Sequence, residues 1–151
     1  MSSNVYDEAK AFINEHLCIY RETDGAEGHI MDLTAQGAKA NTTCMLLKAV
    51  GRKSGTDQTV PLIYGKFGDE YILVASKGGA DENPAWFYNL TARPEIDFQV
   101  GREHLHGTWR IVEGEERAKL WDFMVDVYPI YTSYKSFTDR EIPVVALKPV
   151  G

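Results

Sequence analysis

At 151 residues, 44% of them hydrophobic, the chain is long enough for one packed core and too short for two ordinary domains. Its net charge of −6 argues against general affinity for nucleic acid or for an anionic membrane surface, since both are bound mainly through positive charge. No apolar run approaches the ~20 residues of a membrane span, and the first ten residues, with Asp7, Glu8 and Lys10, lack the basic-then-apolar order of a signal peptide; a cytoplasmic protein with a single domain over 1–151 is expected.

Taken in chain order, Val5, Ala9, Phe12, Ile13, Leu17 and Tyr20 recur at helical spacing behind Ser2, Ser3 and Asn4, which predicts an N-terminal amphipathic helix within 1–22. It carries few basic residues, so docking on the rest of the chain is favoured over peripheral contact with a membrane. Cys18 and Cys44 are isolated thiols without a CxxC partner and read as buried structural cysteines. After the Gly-rich stretch 23–29, strand-like runs follow at about 43–50, 58–66 and 70–76, the last two joined by a turn at Phe67-Gly68-Asp69-Glu70.

Asn83-Pro84 predicts a helix start, a cap followed by proline at the first helical position, for a short helix carrying Trp86, Phe87 and Leu90. Strands at about 95–100 and 104–112 meet at Gly101-Arg102-Glu103. Glu113, Glu115 and Glu116 then suit the N-terminus of a helix through its dipole, with Leu120, Phe123, Met124 and Val127 on one face, and a strand at about 142–148 closes the chain. About six strands linked mainly by hairpins, with helices at the ends and in one connection, predict an α+β fold built on an antiparallel barrel rather than a parallel sheet. His104 and His106 share a strand face, yet no third ligand accompanies them, so surface histidines are expected and no metal site.

Two segments carry chemistry. Between Asp32 and Asp57 there is no acidic residue, while Lys39, Lys48, Arg52 and Lys53 all fall there. The run Gly51-Arg52-Lys53-Ser54-Gly55 lies between two strands, its glycines allow close approach of the backbone, and its guanidinium, ammonium and hydroxyl could cradle a phosphate. A glycine-flanked basic hairpin is also an ordinary solvent-facing turn. The second segment is Leu73-Val74-Ala75-Ser76-Lys77-Gly78-Gly79, an apolar strand running out into small and polar residues ahead of a helix start. There a planar ring could rest on the backbone with Ser76 and Lys77 as donors.

With these motifs in place the chain resembles the deazaflavin-dependent nitroreductase family, which uses coenzyme F420. The residues that carry the resemblance are GRKSG (51–55) followed by Val60-Pro61-Leu62, VASKGGA (74–80), NPAWFYNL (83–90), RPE (93–95), YPIYTSYKSFTDREIPVV (128–145) and TDGAEGH (23–29). The resemblance implies a split β-barrel and reduced F420 as hydride donor to small planar acceptors such as quinones, conjugated enones or lactones, and nitroaromatics. By matching position it implies that Arg52, Lys53 and Ser54 hold the cofactor phosphate and acidic tail, with Gln58 and Pro61 lining the approach. Val74, Ala75, Ser76 and Lys77 would lie along the ring, and Trp86 and Asn89 would close its other side.

Tyr128, Tyr131 and Tyr134 match the family's substrate side. Their spacing would place them along one face if the segment is helical, where the rings could stack on an acceptor and one hydroxyl could supply a proton; a packed aromatic cluster is the plainer alternative. Together with Ser76 they are the candidate catalytic residues. Val60 and Ile63 stand where the family has a polar residue and a tyrosine, which predicts a more apolar pocket and weighs against nitro compounds. An FMN-binding split-barrel oxidoreductase and a carrier of deazaflavin without turnover are the competing readings. Many split barrels form homodimers, and nothing in the sequence decides whether this one does.

Overall fold

Strands that are apolar on both faces dictate the architecture. A computed structural model describes residues 15–34, 38–51, 54–76 and 82–150, without the side chains of Asp57 and Gln58. Helix α1 (15–22) is followed by β1 (Ile30–Met31), β2 (Thr42–Val50), β3 (Asp57–Ile63), β4 (Gly65–Phe67) and β5 (Glu70–Val74). Then come α2 (Ala85–Thr91), β6 (Glu95–Val100), β7 (Glu103–Val112), α3 (Gly114–Val127), α4 (Tyr131–Ser136) and β8 (Val144–Pro149). All the strand pairs are antiparallel, in the order β1-β2-β6-β7-β8-β5-β4 with β3 paired to β2 off that path.

Side chains alternate across each strand, so a strand without polar positions must bury both faces. Tyr71 and Leu73 of β5 and Val145 and Leu147 of β8 join Met45, Leu47 and Phe98 in one core, against which Trp86, Phe87 and Leu90 of α2 pack. The intervening Ile72, Val74, Val144 and Ala146 join a second core with Leu120, Trp121 and Met124 of α3 and with Tyr128 and Tyr131. The sheet therefore has α2 on one face and α3 and α4 on the other.

Eight strands rather than about six are present among the described residues. The short β1 falls in a stretch without a readable period, and the run expected at 58–66 divides at Tyr64, where the chain leaves β2 to pair with β5. At this corner Tyr64 N donates to Thr43 O at 3.0 Å, and a Cβ on Gly65 would stand 2.7 Å from Phe123 and 2.8 Å from Met124 Sδ. The cap of α2 also differs from expectation. Pro84 itself takes the cap position, with extended backbone and no side-chain cap bond, while Asn83 Oδ1 accepts from Arg140 Nη1.

Helix α1 docks on the sheet through His16 and Tyr20, one turn apart on the same face. His16 Nε2 meets Gly28 O at 2.8 Å, and the fully buried Tyr20 hydroxyl accepts from Gly101 N at 2.7 Å and donates to Cys44 O at 3.1 Å. Burial pushes that phenol up to about 12. Cys44 is buried as expected; Cys18 is exposed, because two positions from His16 the helix has turned about 200° to solvent. Gly25 explains part of the 23–29 stretch: it has φ +81° and a Cβ there would lie 1.7 Å from Gly101 O. The earlier part of the expected N-terminal helix lies outside the described residues, and among those described no helix is long and apolar enough to cross a membrane.

Removing the Tyr20 hydroxyl leaves the Gly101 amide buried without its acceptor, a defect worth about 1–3 kcal/mol. Tyr20→Phe should therefore lower the unfolding free energy in urea by that amount with an unchanged m-value; an unaltered midpoint would show that water replaces the phenol.

Candidate active site

Where β3, the end of β5, the start of α2 and the tyrosine segment meet, they enclose a cleft of about 260 Å³. Pro61, Leu62 and Ile63 of β3 form one wall. Proline has no N–H to give a ladder and is at home on an edge strand; among the described residues β3 pairs only with β2. Leu73, Val74 and Ser76 supply the strand end, and Pro84 and Trp86 the start of α2. The three tyrosines complete the lining.

Tyr131 and Tyr134 lie on α4, whereas Tyr128 ends α3, with Pro129 between the helices. The three are thus not on one continuous helix, yet their rings converge: the centroids of Tyr128 and Tyr131 are 4.9 Å apart, those of Tyr131 and Tyr134 6.2 Å and those of Tyr128 and Tyr134 6.4 Å. Trp121 stands 6.3 Å behind Tyr131 and is itself flanked by Arg117 and Lys135 over its ring. Burial raises the Tyr131 phenol well above the ordinary tyrosine value, and burial together with a hydrogen-bonding interaction with Tyr134 does the same for Tyr128.

Ser76 is 8% exposed, and neither its amide nor its hydroxyl has a hydrogen-bond partner among the described residues. Ser76 lines the cleft, where its hydroxyl keeps contact with solvent that a ligand can replace. That donor pair, in a cleft also lined by Val74 and Trp86, suits the edge of a flat heteroaromatic ring bearing carbonyl oxygens.

Of the residues singled out from sequence, Pro61, Val74, Ser76, Trp86, Tyr128, Tyr131 and Tyr134 line this cleft. Ala75 and Asn89 are buried and do not line it: Ala75 has its side chain in the first core, with its amide on Pro143 O at 3.0 Å. Arg52, Lys53 and Lys77 lie outside the described residues, as does the Gln58 side chain, whose backbone pairs with Ala49. Ser54 is exposed in the β2–β3 turn, where its Oγ lies 2.8 Å from Thr56 Oγ1 and Gly51 N donates to Thr56 O at 2.8 Å. From Asp57, where that turn ends, to Pro61 is about 13 Å of strand.

Sequence reasoning missed Leu62, Leu73 and Pro84 as lining residues; all three sit inside motifs but read as core or cap. The two histidines make surface pairs, His104 with Asp24 at 2.7 Å and His106 with Asp97 at 2.5 Å and Glu95 at 3.3 Å. The carboxylates raise the pKa of His106. Among the described residues no group of three or more His, Cys, Asp or Glu side chains could hold a metal.

The sequence model of the F420H2-dependent quinone reductase family matches residues 12–149. The chain belongs to that family. An F420H2-dependent quinone reductase of Mycobacterium tuberculosis is 37% identical over 135 residues, which are 87% of this chain and 86% of that protein. A solved structure described as an F420-H2 dependent reductase, FDR-A, is 40% identical with a TM-score of 0.64, over 70% of this chain and 93% of that one. A second, described as a domain-swapped dimer, has the same identity and TM-score over 70% of this chain and 79% of its own. A haem storage protein of Vibrio cholerae, 11% identical with a TM-score of 0.54, shares the fold alone. Membership in the F420H2-dependent quinone reductase family makes this protein an F420-dependent oxidoreductase with a split-barrel fold and sets the FMN and carrier readings aside.

The raised tyrosines give the site a pH signature. A free tyrosine ionises at about 10; above that pH the unfolded chain releases protons that Tyr128 and Tyr131 keep in the native state, so stability is full below about 10 and declines as the pH rises beyond it. Phenolate absorbance at such a pH should develop for fewer of the eight tyrosines in native than in unfolded protein, and a native titration of all of them near 10 would contradict the burial described.

Proposed function

We propose that the cleft is where a quinone or another conjugated acceptor is reduced by F420H2, and that the acceptor rests against Tyr128, Tyr131 and Tyr134. The observation that carries this reading is the convergence on one cleft of the three phenols and of Ser76, whose two donors have no partner among the described residues. When bound, reduced F420 supplies a hydride. The chain's own residues bind, orient and protonate.

Ser76 and the backbone at the end of β5 hold the ring edge, with Val74 on one side and Trp86 on the other. Arg52, Lys53 and Ser54 at the β2–β3 turn bind the phosphate and carboxylates of the cofactor tail, as the chemistry of those three side chains allows; Gln58 and Pro61 line the strand between, and Lys77 adds a cation beyond Ser76. Ala75 and Asn89 support their elements from within rather than touching the ligand.

Reduction of a quinone to a quinol takes up one hydride and one proton, and a tyrosine hydroxyl supplies the proton at the acceptor oxygen. The apolar surroundings that hold the Tyr131 proton in place act equally on the phenolate-like oxygen of the product, so the two acidities stay comparable. Tyr131, with Tyr128 and Tyr134 against it, is assigned as the donor. Ile63 in the wall offers no hydrogen bond to a nitro oxygen, which favours quinones and enones over nitroaromatics. The protein acts as one domain over 1–151 in the cytoplasm, and the dimeric relative makes a second copy of the chain the partner to seek by sedimentation.

Purified protein should quench F420 fluorescence on binding and should oxidise F420H2 when a naphthoquinone or an unsaturated lactone is added; binding without oxidation across a broad panel of acceptors overturns the reading. Within it, Lys53→Ala should weaken F420 binding by about ten-fold, the loss of one charge-assisted bond, with kcat nearly intact. Tyr131→Phe should lower kcat by about a hundred-fold, the scale of one acid catalyst, with F420 affinity little altered. The opposite pattern would reverse the two assignments.

A further inference from the structure

The segment that carries the tyrosines returns to β8 through residues 137–143, and from it Arg140 reaches both banks of the cleft. Nη1 donates to Asn83 Oδ1 at 2.7 Å, and Nη2 donates to Ser76 O at 2.8 Å and to Ala75 O at 3.3 Å. Asn83 directly precedes Pro84, which lines the cleft together with Trp86; Ser76 lines it from the end of β5. Arg140 itself does not line it. One guanidinium therefore bonds the last described residues of β5's extension to the residue that leads into α2, while its own backbone belongs to the chain that left Tyr134 six positions earlier.

The bonds to Ala75 and Ser76 also orient the backbone. In a trans peptide the carbonyl and the following N–H point to opposite sides of the chain. Drawing the Ala75 carbonyl to Arg140 turns the Ser76 N–H away from the guanidinium, and this is the amide without a partner among the described residues. A planar fork is well shaped for this role, because its donors diverge at fixed angles and reach oxygens on two segments at once, whereas a lysine ammonium is a single point on a flexible stem.

We propose that Arg140 is a positioning residue of the reductase: by holding Asn83 and the Ala75 and Ser76 carbonyls it sets the separation of the two walls and presents the Ser76 amide to the bound cofactor. This rests on the reading that F420 binds in the cleft. Arg140 does not itself line the cleft, so the effect proposed for it passes through Ser76 and the lead-in to α2.

The test compares Arg140→Lys and Asn83→Ala with the unmutated protein by three measurements: hydrogen exchange of the backbone at 74–76 and 82–86, the Kd for oxidised F420 by fluorescence titration, and kcat and KM for a naphthoquinone. Losing the fork should raise the F420 Kd by about ten-fold and losing only the Asn83 bond by about three-fold, on the scale of hydrogen bonds with a charged partner. Exchange should quicken in those two segments and not in β2 or β7, with the quinone KM within about two-fold of the parent's. Faster exchange with unchanged F420 affinity would make Arg140 a strut alone and overturn the proposal, as would the absence of any change. If Arg140→Lys does not fold, Asn83→Ala decides on the same measurements. Failure of the F420 reading shows separately, as an unmutated protein that does not bind the cofactor.

Discussion

The pairing of β5 with β8 is the constraint on which the rest of the molecule depends. β8 joins β7 on one side and β5 on the other, so it alone connects β4 and β5 to the remaining strands in the described ladder. Its residues Val144 to Leu147 are at most 1% exposed, with Val145 and Leu147 in one core and Val144 and Ala146 in the other. A one-residue slip would exchange the two sets, putting valine and leucine where α3 packs closely over Ala146. Because Val74 and Ser76 follow directly from this register, the edge of the cleft is fixed by the same packing that closes the sheet.

Much of this was legible in the sequence because most strands are bounded by turn residues and α2 and α3 by a change of period. The hairpin at Phe67 to Glu70, the strand 95–100 and the helix after Glu113 are readable for that reason. The division of 58–66 is not, because nothing local marks Tyr64 as a corner; its cause is the close approach of Phe123 and Met124 to Gly65, residues almost sixty positions away. Nor can sequence distinguish Asn83 as a cap from Asn83 as the acceptor of an arginine in a distant loop. Cys18 departs from expectation for a related reason: a thiol's burial depends on which helix face docks, and that face is set by His16 and Tyr20 reaching Gly28 and Gly101.

The candidate site was legible in a different way. Its residues come from four separated segments, and no periodicity joins Pro61 to Ser76, Trp86 and Tyr131; resemblance to a family supplied that grouping and the folded chain supplied the distances. What the fold adds is electrostatic. The tyrosines could have been an ordinary packed cluster, and by their ring contacts they are one, but all three also line the cleft. Burial there makes the Tyr128 and Tyr131 phenols hold their protons more firmly than an exposed phenol does.

A shared fold with a haem storage protein at 11% identity shows why the barrel by itself assigns no chemistry. The assignment rests on separable parts of one ligand's surroundings. In the proposed function the turn that carries Arg52 and Lys53, which ends at Asp57 about 13 Å of strand from Pro61, acts on how firmly the cofactor is held and little on the reacting atoms. Tyr128 caps the end of α3 and Tyr131 and Tyr134 lie on α4, the first two buried in the second core and Tyr134 packed against it. Arg140 belongs to neither group. It links Ser76, two residues beyond β5, to Asn83 at the lead-in to α2, and in the role proposed for it couples affinity to geometry where the two parts of the site meet.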